Sequence, residues 1–148
     1  MRRLITGLLL AAYAVAVVAV TIFPIERHPP SYWAGVPWWT MIHYIPFLVD
    51  ATSFLLNIVM FVPFGVLVPL MWPRARGARR LFGYAAAASS TIELSQLILG
   101  LTLGSRRTVD INDLISNTAG AMAGLAMLRL ASLTGVSAGS RRSRRLPE

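Results

Sequence analysis

Glu93 and Gln96 stand three residues apart inside one apolar run, and Asp113 and Asn117 stand four apart in the next, each about one helical turn. Between the two runs lies a short polar hairpin with Arg106, Arg107 and Asp110, while Asn57 sits in an earlier apolar run. In a membrane such groups are expensive unless they pair with one another or serve a ligand. Glu93, Asp110 and Asp113 could hold a divalent cation and activate water or a hydroxyl against a lipid phosphate. Arg107 could instead pair with a phosphate or carboxylate while buried amides orient the rest of a polar head. Blander roles compete: the Asn57 amide as glue between helices, and Asp110 or Asn112 as the cap of the following helix.

Composition says what must position them. The chain has 148 residues, of which 55% are hydrophobic and 14% charged, with a mean hydropathy of +0.61. Soluble domains run nearer 25% charged, and no soluble core would hide this much apolar surface, so a single all-α integral membrane domain is expected. Cysteine is absent, which excludes disulfides and thiolate chemistry. The net charge is +8 and all 14 basic residues are arginine. In a membrane protein that balance reports topology and contact with anionic lipid, not nucleic-acid binding.

The apolar runs predict helices at about 4–23, 54–72, 81–99 and 113–133, each near the ~20 residues that cross the hydrocarbon layer. The first is read as a retained helix, because it ends in Phe23-Pro24-Ile25 and not in a small-residue cleavage site. Residues 24–53 are rich in proline and aromatics and suit the membrane surface; His28 and His43 are assigned interfacial packing there. In the second helix Asn57, Phe61, Phe64 and Val68 share a stripe, and Pro63 beside Gly65 predicts a bend. Gly120 and Gly124, flanked by Ala119 and Ala123, predict close approach to the alanine-rich face of the third helix. Residues 134–148 read as a disordered basic cytoplasmic tail.

Arginine placement sets the orientation. Arg2, Arg3, the loop at 73–80 and the tail gather on one side, leaving Arg27, Arg106 and Arg107 on the other. The positive-inside rule then gives a four-helix bundle with both termini cytoplasmic. Asn57, Glu93, Gln96, Asp113 and Asn117 are expected to converge on a polar pocket in the outer-leaflet half, with Arg107 and Asp110 folded over its mouth. Glu93 is expected there either to be protonated or to pair with Arg106, Arg107 or a bound cation.

The ordered series Asn57-Ile-Val-Met-Phe61-Val-Pro63-Phe-Gly65, Glu93-x-x-Gln96 and Arg107-x-x-Asp110-x-x-Asp113-x-x-x-Asn117-x-x-Gly120 resembles the VanZ-like family over roughly 42–128. Ile45-Pro46-Phe47 also resembles a short family motif, although His43 stands where asparagine is common. The resemblance implies a small bacterial multi-pass protein of the cell membrane, whose namesake contributes to teicoplanin resistance. It implies no settled reaction. The expected function is binding of an amphiphile, either a glycopeptide or lipopeptide antibiotic or a lipid-linked cell-wall precursor, through Asn57, Glu93, Gln96, Arg107, Asp110, Asp113 and Asn117. A metal-dependent enzyme acting on a lipid-linked phosphate is the alternative. No Ser-His pair, Cys-His pair or phosphate-cradling glycine loop is present, so catalysis stays open. No resident cofactor is expected, and a divalent cation belongs only to the enzyme reading. Membrane lipid is the expected partner, and the oligomeric state is left unassigned.

Overall fold

The computed structural model describes residues 1–25, 29, 35–103 and 108–143, with side chains as far as 133. Its frame is four helices: α1 (Arg2–Ile22), α2 (Ala51–Met71), α3 (Ala78–Leu103) and α4 (Ile111–Ser143). All four are long and apolar enough to cross a membrane. Large apolar side chains such as Leu8, Val15, Leu55, Val59 and Leu130 remain on the outside, where lipid would be their solvent.

The boundaries differ from the expected ones for reasons visible at the caps. Asp50 accepts a hydrogen bond from the Ser53 backbone N–H at 2.9 Å, so α2 starts at Ala51, ahead of the apolar run. Asp110 caps α4 in the same way, accepting from the Asn112 N–H at 2.8 Å. At its other end α4 continues past the expected Leu133 to Ser143. Extending an existing helix adds one hydrogen bond per residue fixed, without a new nucleation cost. Residues 144–148 lie outside the described residues.

The tightest contact joins α2 to α4, which run parallel to each other. A methyl group added to Gly120 would collide with the carbonyl oxygen of Ile58, and one on Gly124 with that of Val62. From the other side, one on Gly65 would collide with the carbonyl oxygen of Ala121. The expected partner of the Gly120/Gly124 face was α3; the structure corrects this to α2. Gly65 explains why, since it removes the side chain that would otherwise hold the two backbones apart. Pro63 lies within a continuous α2, half-buried beside this contact. Phe61, Ala85 and Ala121 close the core where α3 joins, and Val68, Leu81 and Leu125 form a second cluster further along.

The remaining helix is held more loosely. Tyr13 on α1 donates its hydroxyl to the Met60 carbonyl of α2 at 3.0 Å. Its C-terminal end meets α3, where Gln96 reaches the Thr21 carbonyl. Before α2, residues 42–43 form a short strand, β1, that pairs in parallel with β2 at 109–110. The register sets Ile42 opposite Val109 and His43 opposite Asp110.

Candidate functional site

The polar residues fall at one end of the bundle, where α2 and α4 begin and α1 and α3 finish. Most of them are occupied with one another. Asn57 donates its amide to the Asp113 carboxylate at 2.6 Å, tying α2 to α4. Asn117, 2% exposed, donates to the Ser89 hydroxyl at 2.9 Å, tying α4 to α3; its Oδ1 has no partner among the described residues. Gln96 donates to the Thr21 carbonyl at 3.0 Å, tying α3 to α1. Each bond pairs an amide NH2 group with an oxygen on another helix. These residues form a polar layer inside the bundle.

Glu93 and Asp110 are placed differently. Glu93 Oε2 accepts the Asp110 backbone N–H at 2.9 Å. Asp110 Oδ1 is taken up by the amides of Asn112, while Oδ2 faces His43 Nδ1 at 3.7 Å. The β1–β2 register produces that approach by setting His43 and Asp110 side by side. His43 is 55% exposed and Asp110 only 14% by side chain. Both line a cavity of about 400 Å³, together with Glu93 and Ser90. The rest of its wall is largely apolar, including Ile42, Leu94, Leu97, Ile111 and Leu114. A cavity this size falls in the usual range for ligand sites.

Asn57, Glu93, Gln96, Asp113 and Asn117 were expected to converge on one pocket. Of these five, only Glu93 lines the cavity, and Asp110 joins it. Arg106 and Arg107 lie outside the described residues. Among the described residues no group of three or more His, Cys, Asp or Glu is placed to hold a metal ion.

Two residues gain importance over the sequence reading. His43, assigned to interfacial packing, lines the cavity wall. Asn112, weighed only as a cap, is 0% exposed and bonds in several directions. Its Oδ1 accepts the Phe47 N–H at 2.6 Å, while its Nδ2 donates to the Ile45 carbonyl at 3.1 Å and to Asp110 Oδ1 at 2.8 Å. Phe47 adopts φ 63°, a left-handed conformation that costs a non-glycine residue about 1–2 kcal/mol. The buried Asn112 contact offsets that cost and holds the segment before α2 against the start of α4.

These motifs appear in the order of a known membrane family, and the family model described as VanZ/LLP1 matches residues 10–132. The chain belongs to the VanZ/LLP1 family. The match extends beyond the stretch that carried the sequence resemblance, taking in most of α1. No curated protein and no solved structure matches the chain. With its four membrane-crossing helices, this VanZ/LLP1 member is a multi-pass membrane protein. Its cavity residues His43, Glu93 and Asp110 all fall inside the matched span.

Proposed function

We propose that this VanZ/LLP1 protein binds an amphiphile at the outer leaflet of the cell membrane without transforming it. The ligand class is a glycopeptide or lipopeptide antibiotic or a lipid-linked cell-wall precursor, and the role is glycopeptide resistance or envelope homeostasis. One observation carries the reading: a cavity of about 400 Å³ with an apolar wall and a polar end made of Glu93, Asp110, His43 and Ser90. The apolar wall suits an acyl or isoprenoid chain. Two carboxylates, an imidazole and a hydroxyl favour a head rich in amino and hydroxyl donors. Arg107, three residues before Asp110 in sequence, adds a partner for phosphate or carboxylate. The polar layer behind the cavity keeps its walls in place, as a binding site on rigid elements requires. No observation among the described residues favours the metal-dependent enzyme over this pocket.

The test uses the purified protein in lipid nanodiscs with two probes, teicoplanin and an undecaprenyl-diphosphate-linked disaccharide. Saturable binding of at least one is expected. Leu97→Trp, which fills the cavity, and Glu93→Gln should each weaken it about tenfold, or ~1.4 kcal/mol. Wild-type protein that binds neither probe, or variants that bind as tightly as wild type, would overturn the proposal.

A further inference from the structure

The opposite end of the bundle carries a second pair of cavities. One, of about 300 Å³, is lined by Arg3, Met71, Trp72, Pro73 and Arg74. The other, of about 530 Å³, is lined by Leu10, Phe64, Val68, Trp72, Arg74 and Tyr84. Trp72 and Arg74 belong to both, so the two adjoin. Phe64 and Val68 on α2 and Trp72 just past its end follow one another at four-residue spacing, so the larger cavity runs about 12 Å along the helix direction at ~1.5 Å per residue. Leu10 of α1 and Tyr84 of α3 supply its sides. The two arginines gather at the end where α1 begins and α2 finishes.

Charge separates the two ends of the molecule. The acids among the described residues are Asp50, Glu93, Asp110 and Asp113, and all lie at the end with the first cavity. Arg2, Arg3, Arg74, Arg76, Arg79 and Arg80 lie at the other. Arg129 is turned to the Arg76 carbonyl at 2.8 Å. No ion pair joins Arg3 or Arg74 to a described acid, which leaves both exposed guanidinium groups open to an anion from outside the chain. Arginine pairs with phosphate through parallel N–H bonds, and its stem lies comfortably on apolar surface.

We propose that Arg3 and Arg74 form a binding site for an anionic phospholipid, whose phosphate sits between the two guanidinium groups and one acyl chain follows the groove past Trp72 to Phe64. The site is separate from the cavity at Glu93, and its occupant is a resident lipid, not the amphiphile proposed for that cavity. Trp72, at the junction of head and chain, places its indole at the depth tryptophan favours in membranes. A diffuse attraction of all the arginines to an anionic leaflet predicts something different, since it would make every arginine at this end equivalent.

The experiment starts from a Trp33→Phe/Trp38→Phe/Trp39→Phe background, which leaves Trp72 as the only tryptophan. In nanodiscs of phosphatidylcholine, trace phosphatidylglycerol with brominated acyl chains is titrated in and Trp72 quenching is read. Half-maximal quenching is expected at a lipid fraction at least fivefold lower than for brominated phosphatidylcholine. Arg3→Gln/Arg74→Gln should remove that preference, whereas Arg79→Gln/Arg80→Gln, with equal charge loss, should change it less than twofold. Leu10→Trp, introduced into the otherwise native chain, should reduce the phosphatidylglycerol that co-purifies, as counted by native mass spectrometry. Equal loss in both arginine pairs would establish diffuse attraction and overturn the site. Equal quenching by both lipids, or displacement by millimolar inorganic phosphate with no acyl-chain dependence, would overturn it as well.

Discussion

Glu93, on α3, accepts a hydrogen bond from the backbone N–H of Asp110, the residue that caps α4. A cavity-lining carboxylate is thus also the clamp between two helices. Glu93→Gln keeps a carbonyl acceptor for that N–H, so melting in detergent should shift little. Glu93→Leu leaves a half-buried donor without its partner and should cost about 1–3 kcal/mol. Equal melting temperatures for the two variants would show that the bond contributes nothing to stability.

Asn57 and Asp113 should behave as one unit. Removing one partner leaves the other half-buried polar group unpaired, so Asn57→Leu and Asp113→Leu should each destabilise the protein. The double variant should lose less than the sum, with a coupling of about 0.5–3 kcal/mol. Strictly additive losses in a thermal-unfolding cycle would contradict the 2.6 Å contact.

The glycines give a contrast of sign. Gly65→Ala and Gly120→Ala each drive a methyl group into the backbone of the facing helix. Both should lower membrane accumulation and melting temperature, by at least the ~1–3 kcal/mol of ordinary overpacking. Gly83, on α3, has nothing within 4 Å of an added Cβ. Gly83→Ala should be neutral or stabilising by up to about 1 kcal/mol, the helix-propensity gain. Tolerance of alanine at Gly65 would remove the close α2–α4 approach.

Asn112→Ala should release the segment before α2. It removes the acceptor for Phe47 N–H and the donor to the Ile45 carbonyl together. Limited proteolysis should then cut between Tyr44 and Leu48 at least tenfold faster than in wild type. Unchanged cleavage would mean that β1–β2 pairing alone secures the segment.

Orientation is a separate expectation, resting on the arginines. Reporter fusions after Gly77 and after Ser105 should report cytoplasm and exterior respectively. The reverse pattern would move the Glu93 cavity to the inner side and end the proposed contact with outer-leaflet ligands.

The helices were legible in the sequence because uninterrupted apolar length is a direct signal, and the Asp50 and Asp110 caps account for the early starts of α2 and α4. Pairing was harder to read. Helical spacing gives the depth and the face of Asn57, Gln96 and Asn117, but not the rotation of one helix against its neighbour. A single pocket and a layer of separate bonds therefore look alike in the sequence. Gly65 and the Gly120/Gly124 pair did carry a clue, since a smooth face on each of two helices invites them together. The position of His43 carried almost none. It rests on a strand of two residues, too short for any periodicity to show, paired with a partner far along the chain.

That long reach sets an order of events. Phe47 and the side chain that fixes it, Asn112, are 65 residues apart. At about 5–20 residues per second of synthesis, the earlier segment waits roughly 3–13 s before its anchor exists. During that interval α1, α2 and α3 can enter the bilayer, yet the rim of the Glu93 cavity has no means of closing. The fourth of these helices to emerge from the ribosome, α4, completes the site, so a nascent chain halted before Ile111 would be inserted but unfinished.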